Sequence, residues 1–199
     1  MQRLLWLGLM VLLGWGALGW WQQRPLHPPP GVLAAQAPEQ VDLRDGAVLQ
    51  RGDTVLRTRA HIALTARVLS REDYRWDAGA SLAPTDLALG WGRMSDSAVL
   101  AGIEISQSNR FFYWHVRDFP IPRREIETSA TNVHLIPADA GVRHAMKQVR
   151  PGELVHLEGF LVDASRADGW HWRTSLRRDD TGDGACELMY VEELEPVAP

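Results

Sequence analysis

Three runs of alternating residues in the last fifty positions constrain this chain most: GELVHLEGFLVDA, WHWRTSL and ACELMYVEEL, divided by Ala167-Asp168-Gly169 and by a Gly-rich stretch. Strand side chains alternate between faces, so Leu154, His156, Glu158, Phe160 and Val162 oppose Val155, Leu157, Gly159 and Leu161. Gly159 interrupts the apolar face, the mark of a bulge or a sharp coil. A glycine-bent strand leading three consecutive antiparallel strands is how small closed barrels turn. The expectation is therefore a small OB-like antiparallel β-barrel.

The upstream pattern supplies further strands. From Val55 the residues Ile62, Leu64, Ala66 and Val68 share a face opposite Ala63, Thr65 and Arg67, which predicts one long strand. Asp45-Gly46 and Arg51-Gly52-Asp53 are turns around a short strand at 47–50, and the RGD tripeptide reads as a plain hairpin turn. Residues 103–106 and 110–117 (RFFYWHVR) are β-prone, and 132–136 form a short strand ended by Pro137. Residues 123–129 make a helical turn or two. Asp139 can cap a helix to about Val149, with Val142, Ala145, Met146 and Val149 on one face. The Gly-rich segment 77–100 shows two helix starts: Thr85 or Asp86 capping a turn through Leu89, and Ser95 or Asp96 capping another through Leu100. It is expected to form a lid or to plug one end of the barrel. The fold class is thus mainly β (α+β), with short helical insertions.

Residues 4–21, LLWLGLMVLLGWGALGWW, carry no charge. As a helix they span roughly 27 Å, just enough for a hydrocarbon core of about 30 Å. Trp15, Trp20 and Trp21 crowd the end where amphipathic rings prefer the headgroup level. Trp20 and Trp21 would begin the mature chain after cleavage at Ala17-Leu18-Gly19, so an uncleaved transmembrane anchor is the better reading than a signal peptide. Three regions follow: an anchor at 1–21, a Pro/Ala/Gln-rich linker at 22–40 acting as an extended tether, and a domain at 41–199. The default orientation puts the short N-terminus in the bacterial cytoplasm, the anchor in the inner membrane and the domain in the periplasm.

Every one of the twenty-five acidic residues lies beyond residue 38, whereas Arg3 and Arg24 precede it, so the domain is net acidic. That argues against nucleic acid as a partner, which needs a basic face. Cys186 is the one cysteine, which excludes an internal disulfide and any multi-Cys metal site.

Candidate chemistry is sparse. Asp180-Thr181-Gly182 matches the tripeptide of aspartic proteases, but LRRDD precedes it where an apolar strand is needed to bury a proton-sharing dyad. Asp179 and Asp183 sit at calcium-loop spacing, yet the twelfth position is Tyr190 and the flanks are strands. A solvated hairpin turn with weak calcium affinity at most is the expectation, and no cofactor is implied. Cys186 shares a face with Leu188 and Tyr190, the placement of a structural thiol rather than a nucleophile. Trp170 and Trp172 share a face opposite His171 and Arg173, and Phe112 with Trp114 repeats the arrangement. Aromatic rings interleaved with Arg can stack sugars or bases on an OB-like surface, although filling the core is the commoner use. The candidate ligand-binding set is Trp114, Trp170, Trp172, Arg173, His134 and Arg124.

The stretch GELVHLEGFLVDASRADGWHWRTSLRRDDTGDGACELMYVEEL, with NVHLIPAD and PTDLALGWGRMSD upstream, resembles an uncharacterised family of bacterial membrane-anchored proteins. The resemblance implies one domain family across most of the body and no mechanism. The reading is a single-pass, membrane-anchored periplasmic module that binds a protein or small-molecule partner. The alternative is a hydrolase or transferase whose site lies under the 77–100 segment, using His134, Arg124 or Cys186.

Overall fold

The computed structural model describes Trp6 and residues 24–198, apart from Thr181 and Asp183. The apolar stretch 4–21 lies outside the described residues except for Trp6. Among the described residues no helix is long and apolar enough to cross a membrane.

The strands run β1 (Glu39–Asp42), β2 (Val48–Arg51), β3 (Thr54–Asp73), β4 (Thr85–Gly90), β5 (Glu104–Ser108), β6 (Phe111–His115), β7 (Ala130–Pro137), β8 (Leu154–Arg166), β9 (His171–Trp172) and β10 (Glu187–Pro196). The helices are α1 (Ser97–Leu100), α2 (Arg123–Thr128) and α3 (Ala140–Gln148), with a 3-10 turn at Gly92–Ser95. Five strands close into a ring in the order β3, β4, β7, β10, β8 and back to β3. The twenty residues of β3 make this closure possible. It pairs with β8 over Thr54–Arg67, and its last residues, Arg67–Asp73, pair with β4.

Alternation decides what fills the ring. Ile62, Leu64, Ala66 and Val68 of β3 point inward with Leu87, Leu89, Val133, Leu135, Val155, Leu157, Leu161, Met189 and Val191, all buried in one cluster. Each large aliphatic side chain so buried stabilises the fold by about 1.5–3 kcal/mol before entropy is counted. Helix α3 adds Val142 and Met146 to the same core. Its Asp139 cap accepts from the Val142 amide at 2.9 Å. Arg71 donates to the carbonyls of Met146 and Val149 at 2.9 and 2.8 Å, satisfying acceptors that a helix end leaves open. Gly159 has φ +154°, and a Cβ there would lie 2.1 Å from the Tyr190 carbonyl oxygen. The extra residue belongs to the partner strand: the register of β10 shifts between Val191 and Glu193, opposite Gly159.

Four expectations need correction. The ring is not wholly antiparallel: β7 and β10 run parallel, from Val133 opposite Glu187 to Pro137 opposite Val191. Between them the chain makes α3 and β8, a crossover long enough to return in the same direction. The last three strands are not a plain meander either, because β9 pairs only Trp172 and His171 with Ala164 and Ser165, leaving β10 to pair directly with β8. Residues 85–90 form a fully buried strand, not a helical turn. Asp86 there binds side chains instead of capping amides, so half of the expected lid is part of the five-stranded ring, whereas Asp96 does cap α1 by accepting from the Ala98 amide at 2.8 Å. The Pro-rich segment lies against the domain from Leu26 onward. The Leu26 amide donates to Pro151 O at 2.8 Å, and the amides of Leu33 and Ala34 both donate to Ser95 Oγ at 3.0 Å. Lacking periodicity of its own, this segment draws its hydrogen-bond partners from the body.

Candidate functional site

The outer face of β4 and β7 carries Asp86, Asn132 and His134, all buried although they point away from the core. Burying polar groups there requires partners, which the β5–β6 hairpin and the segment after β8 supply. Asn109 and Arg110 have φ of 51° and 71°, the double positive φ of a two-residue hairpin turn. Arginine seldom adopts it, and here the turn aims Arg110 back at the ring.

The Arg110 guanidinium is the hub. Nη1 donates to Asp86 Oδ1 at 2.7 Å and to Ala83 O at 2.8 Å, while Nη2 donates to Asp77 Oδ1 and Oδ2 at 3.0 and 2.9 Å. Its carbon lies 3.7 Å from the Tyr74 ring centroid and 5.3 Å from that of Trp172. The Tyr74 hydroxyl accepts from the Arg110 amide at 3.0 Å. Burial pushes that phenol up to about 12, chiefly because the anion would be desolvated. On the other side of Asp86, His134 Nδ1 lies 2.8 Å from Oδ2, but the contact misses hydrogen-bond alignment and neither atom has another partner among the described residues.

Trp172 closes the cluster, with its ring 4.6 Å from that of His134 and 6.1 Å edge-on from that of Trp170. It rests on bare backbone: a Cβ on Gly79 would sit 2.5 Å from Trp172 Cζ3. Asn132 donates to Arg110 O at 3.0 Å and accepts from Gln107 Nε2 at 2.6 Å, tying the hairpin to β7. Cys186 Sγ lies 3.7 Å from Arg110 O, and burial pushes its thiol up to about 11. That is the opposite of an activated nucleophile.

Two cavities meet at Phe111 and Cys186. One, of about 460 Å³, is lined by Arg110, Phe111, His134, His171, Trp172, Arg173, Gly184 and Cys186, without a carboxylate among the described residues. The other, of about 270 Å³, is lined by every residue from Phe111 to Trp114, by Ala130, Thr131 and Asn132, and by Glu127 and Asp180 without a basic group. Among the described lining residues, Arg110 and Arg173 stand at one end of the resulting trough and Glu127 and Asp180 at the other.

Behind it Glu187, 1% exposed, accepts from Thr131 Oγ1 and Arg178 Nη1, and Arg178 Nη2 also donates to Gln40 Oε1. Burial pushes the Glu187 carboxyl up to about 7, against the downward pull of Arg178 and Thr131.

Of the residues expected from sequence, His134, Trp172 and Arg173 converge on the larger cavity and Trp114 lines the smaller one. Trp170 stands beside Trp172 with the Arg166 guanidinium 4.1 Å above its ring. Arg124 lies elsewhere, exposed and 3.3 Å from Asp179. Arg177 and Arg124 hold the Asp179 carboxylate below its usual range, and Asp183 lies outside the described residues. No group of three metal-ligating side chains occurs among the described residues. Arg110, Asp86, Asp77 and Tyr74 escaped the sequence reading. The Asn-Arg pair between two strand-like runs was a usable signal for a hairpin tip, whereas Asp86 was hidden by its resemblance to a helix cap.

Compared with known protein families, with curated proteins and with solved structures, the chain finds no match.

Proposed function

We propose that this chain is a single-pass, membrane-anchored periplasmic protein whose OB-type domain binds a ligand in the trough at Phe111 and Cys186. The OB reading is supported by strand order. Taking β3, β4, β7, β8 and β10 as first to fifth, the ring runs first, second, third, fifth, fourth, with third and fifth parallel and a helix between third and fourth. In that fold ligands sit on the second and third strands, between the first-to-second and fourth-to-fifth loops. Here those loops contribute Asp77 from one side and Trp172, Arg173 and Cys186 from the other.

Binding is favoured over catalysis by one observation above all: four separate elements bring aromatic and guanidinium groups to the trough, while the nearby thiol is pushed up to about 11. A large, mostly preformed concavity with a few fixed polar groups suits recognition. The anchor is supported by residues 4–21 and their clustered tryptophans.

A thermal-shift screen of sugars, aromatic acids and short peptides against the full chain and its Trp172→Ala variant tests the binding reading. At least one compound is expected to raise the melting temperature of the parent and not of the variant. A turnover abolished by Cys186→Ala or His134→Ala in a protein that stays folded would overturn it.

A further inference from the structure

The smaller cavity is lined by four consecutive residues of β6, which distinguishes it from a cavity on a sheet face. A face presents every second residue, so a run of four means that the cavity follows the edge of the strand. That edge is unpaired: β5 and β6 form a two-stranded sheet among the described residues. The two-residue turn at Asn109-Arg110 makes Ser108 and Phe111 a hydrogen-bonded pair, which places Phe112 and Trp114 at the alternate positions. Their N–H and C=O groups therefore face away from β5, toward the cavity.

We infer that the trough binds an extended polypeptide that adds as a strand to β6, with a basic side chain in the smaller cavity and a carboxylate in the larger one. This rests on the binding reading above and names its partner class. Added strands take affinity from main-chain hydrogen bonds and specificity from pockets for alternate side chains. The charges set polarity. Glu127 and Asp180 border the smaller cavity, although Glu127 also accepts from Arg123 at 2.8 Å and Asp180 from Ser175 at 2.6 Å. Arg173 and His171 border the larger one. Residues 110–114 span about 13 Å of extended chain, so the two charged groups of the peptide stand two or four residues apart. The carboxylate comes from Asp or Glu or from a free C-terminus.

The test uses the full chain in detergent micelles and labelled hexapeptides of alternating Val and Thr, read by fluorescence polarisation. They carry one Lys and, two or four residues away, either an Asp or the C-terminal carboxylate, with amidated and charge-swapped controls. The best peptide is expected to bind at least about tenfold tighter than its charge-swapped control, with that preference reversed in the Glu127→Arg, Arg173→Glu double variant. N-methylation of every second amide is expected to weaken binding about tenfold in one register and little in the other. Loss of binding on amidation assigns the carboxylate to the C-terminus, and its retention assigns it to Asp. No binding by any peptide, or equal tolerance of both methylation registers, overturns the inference. A non-peptide compound that binds and is lost in Trp172→Ala would then leave the broader reading standing.

Discussion

Arg110, at the tip of the β5–β6 hairpin, donates at 2.7 Å to Asp86, a carboxylate with 0% exposure on the outer face of the five-stranded ring. Twenty-four residues separate them, and the contact joins the hairpin to the ring. Arg110→Ala would leave the Asp86 carboxylate buried without that partner, which typically costs about 3–5 kcal/mol. Chemical denaturation with intact far-UV circular dichroism in buffer measures it. A cost within about 0.5 kcal/mol, the usual surface value, would contradict the assigned role.

Glu187 predicts a pH dependence whose sign runs against intuition. Its carboxyl is raised in the fold to about 7 from 4.5, so the folded state binds the proton more tightly than the unfolded chain. This contribution is fully present below about 4.5 and is lost as pH rises through about 7. Protonation thus favours the fold at this site, although it neutralises the partner of Arg178. Urea titrations between pH 4.5 and 8 are expected to lose this component in Glu187→Gln. An unchanged profile would show that the carboxyl does not titrate there.

Cys186 is expected to alkylate slowly. With its thiol at about 11 and an ordinary value of 9, the thiolate fraction at pH 8 is about a hundredfold lower than for a free cysteine. Iodoacetamide labelling followed by mass spectrometry reads the rate. Labelling as fast as in the urea-unfolded chain would refute the burial argument.

Gly159→Ala should be among the most damaging single changes in the domain. A Cβ would meet the Tyr190 carbonyl oxygen at 2.1 Å, and φ is +154°. Backbone must move where β8 and β10 pair, at a cost of about 2 kcal/mol or more. Thermal melts of the variant beside Gly169→Ala, which meets nothing within 4 Å, separate the clash from the effect of positive φ alone.

Membrane attachment is read by fractionation. The intact chain is expected in the membrane pellet after a high-salt wash, released only by detergent. A soluble chain lacking residues 1 to 21 by mass spectrometry would instead support cleavage.

The parts of the fold legible in sequence were those with a local period. Ile62, Leu64, Ala66 and Val68 announced β3 and its inward face, and Val142 with Met146 announced the packed side of α3. Tyr74 and Asp77 lie in residues without periodicity, and the TDLALG run admits both a capped turn and a strand. Its burial beside β7 selects the strand. Trp172 was legible as an aromatic and Arg173 as its neighbour, but not that Gly79 leaves the hollow on which Trp172 rests.

By itself the sequence determined the mainly β class, the helix cap at Asp139, the apolar segment 4–21 and a backbone irregularity at Gly159. Each of these follows from interactions within a few residues, where chain geometry alone dictates which side chains share a face. Only the tertiary structure decided that β7 and β10 run parallel, that Arg110 reaches Asp86, that Gly159 lies against the Tyr190 carbonyl, and that two cavities join at Phe111 and Cys186. These depend on which distant segments bury one another's polar groups. That choice follows from the free energy of desolvation across the whole domain, and no local pattern encodes it.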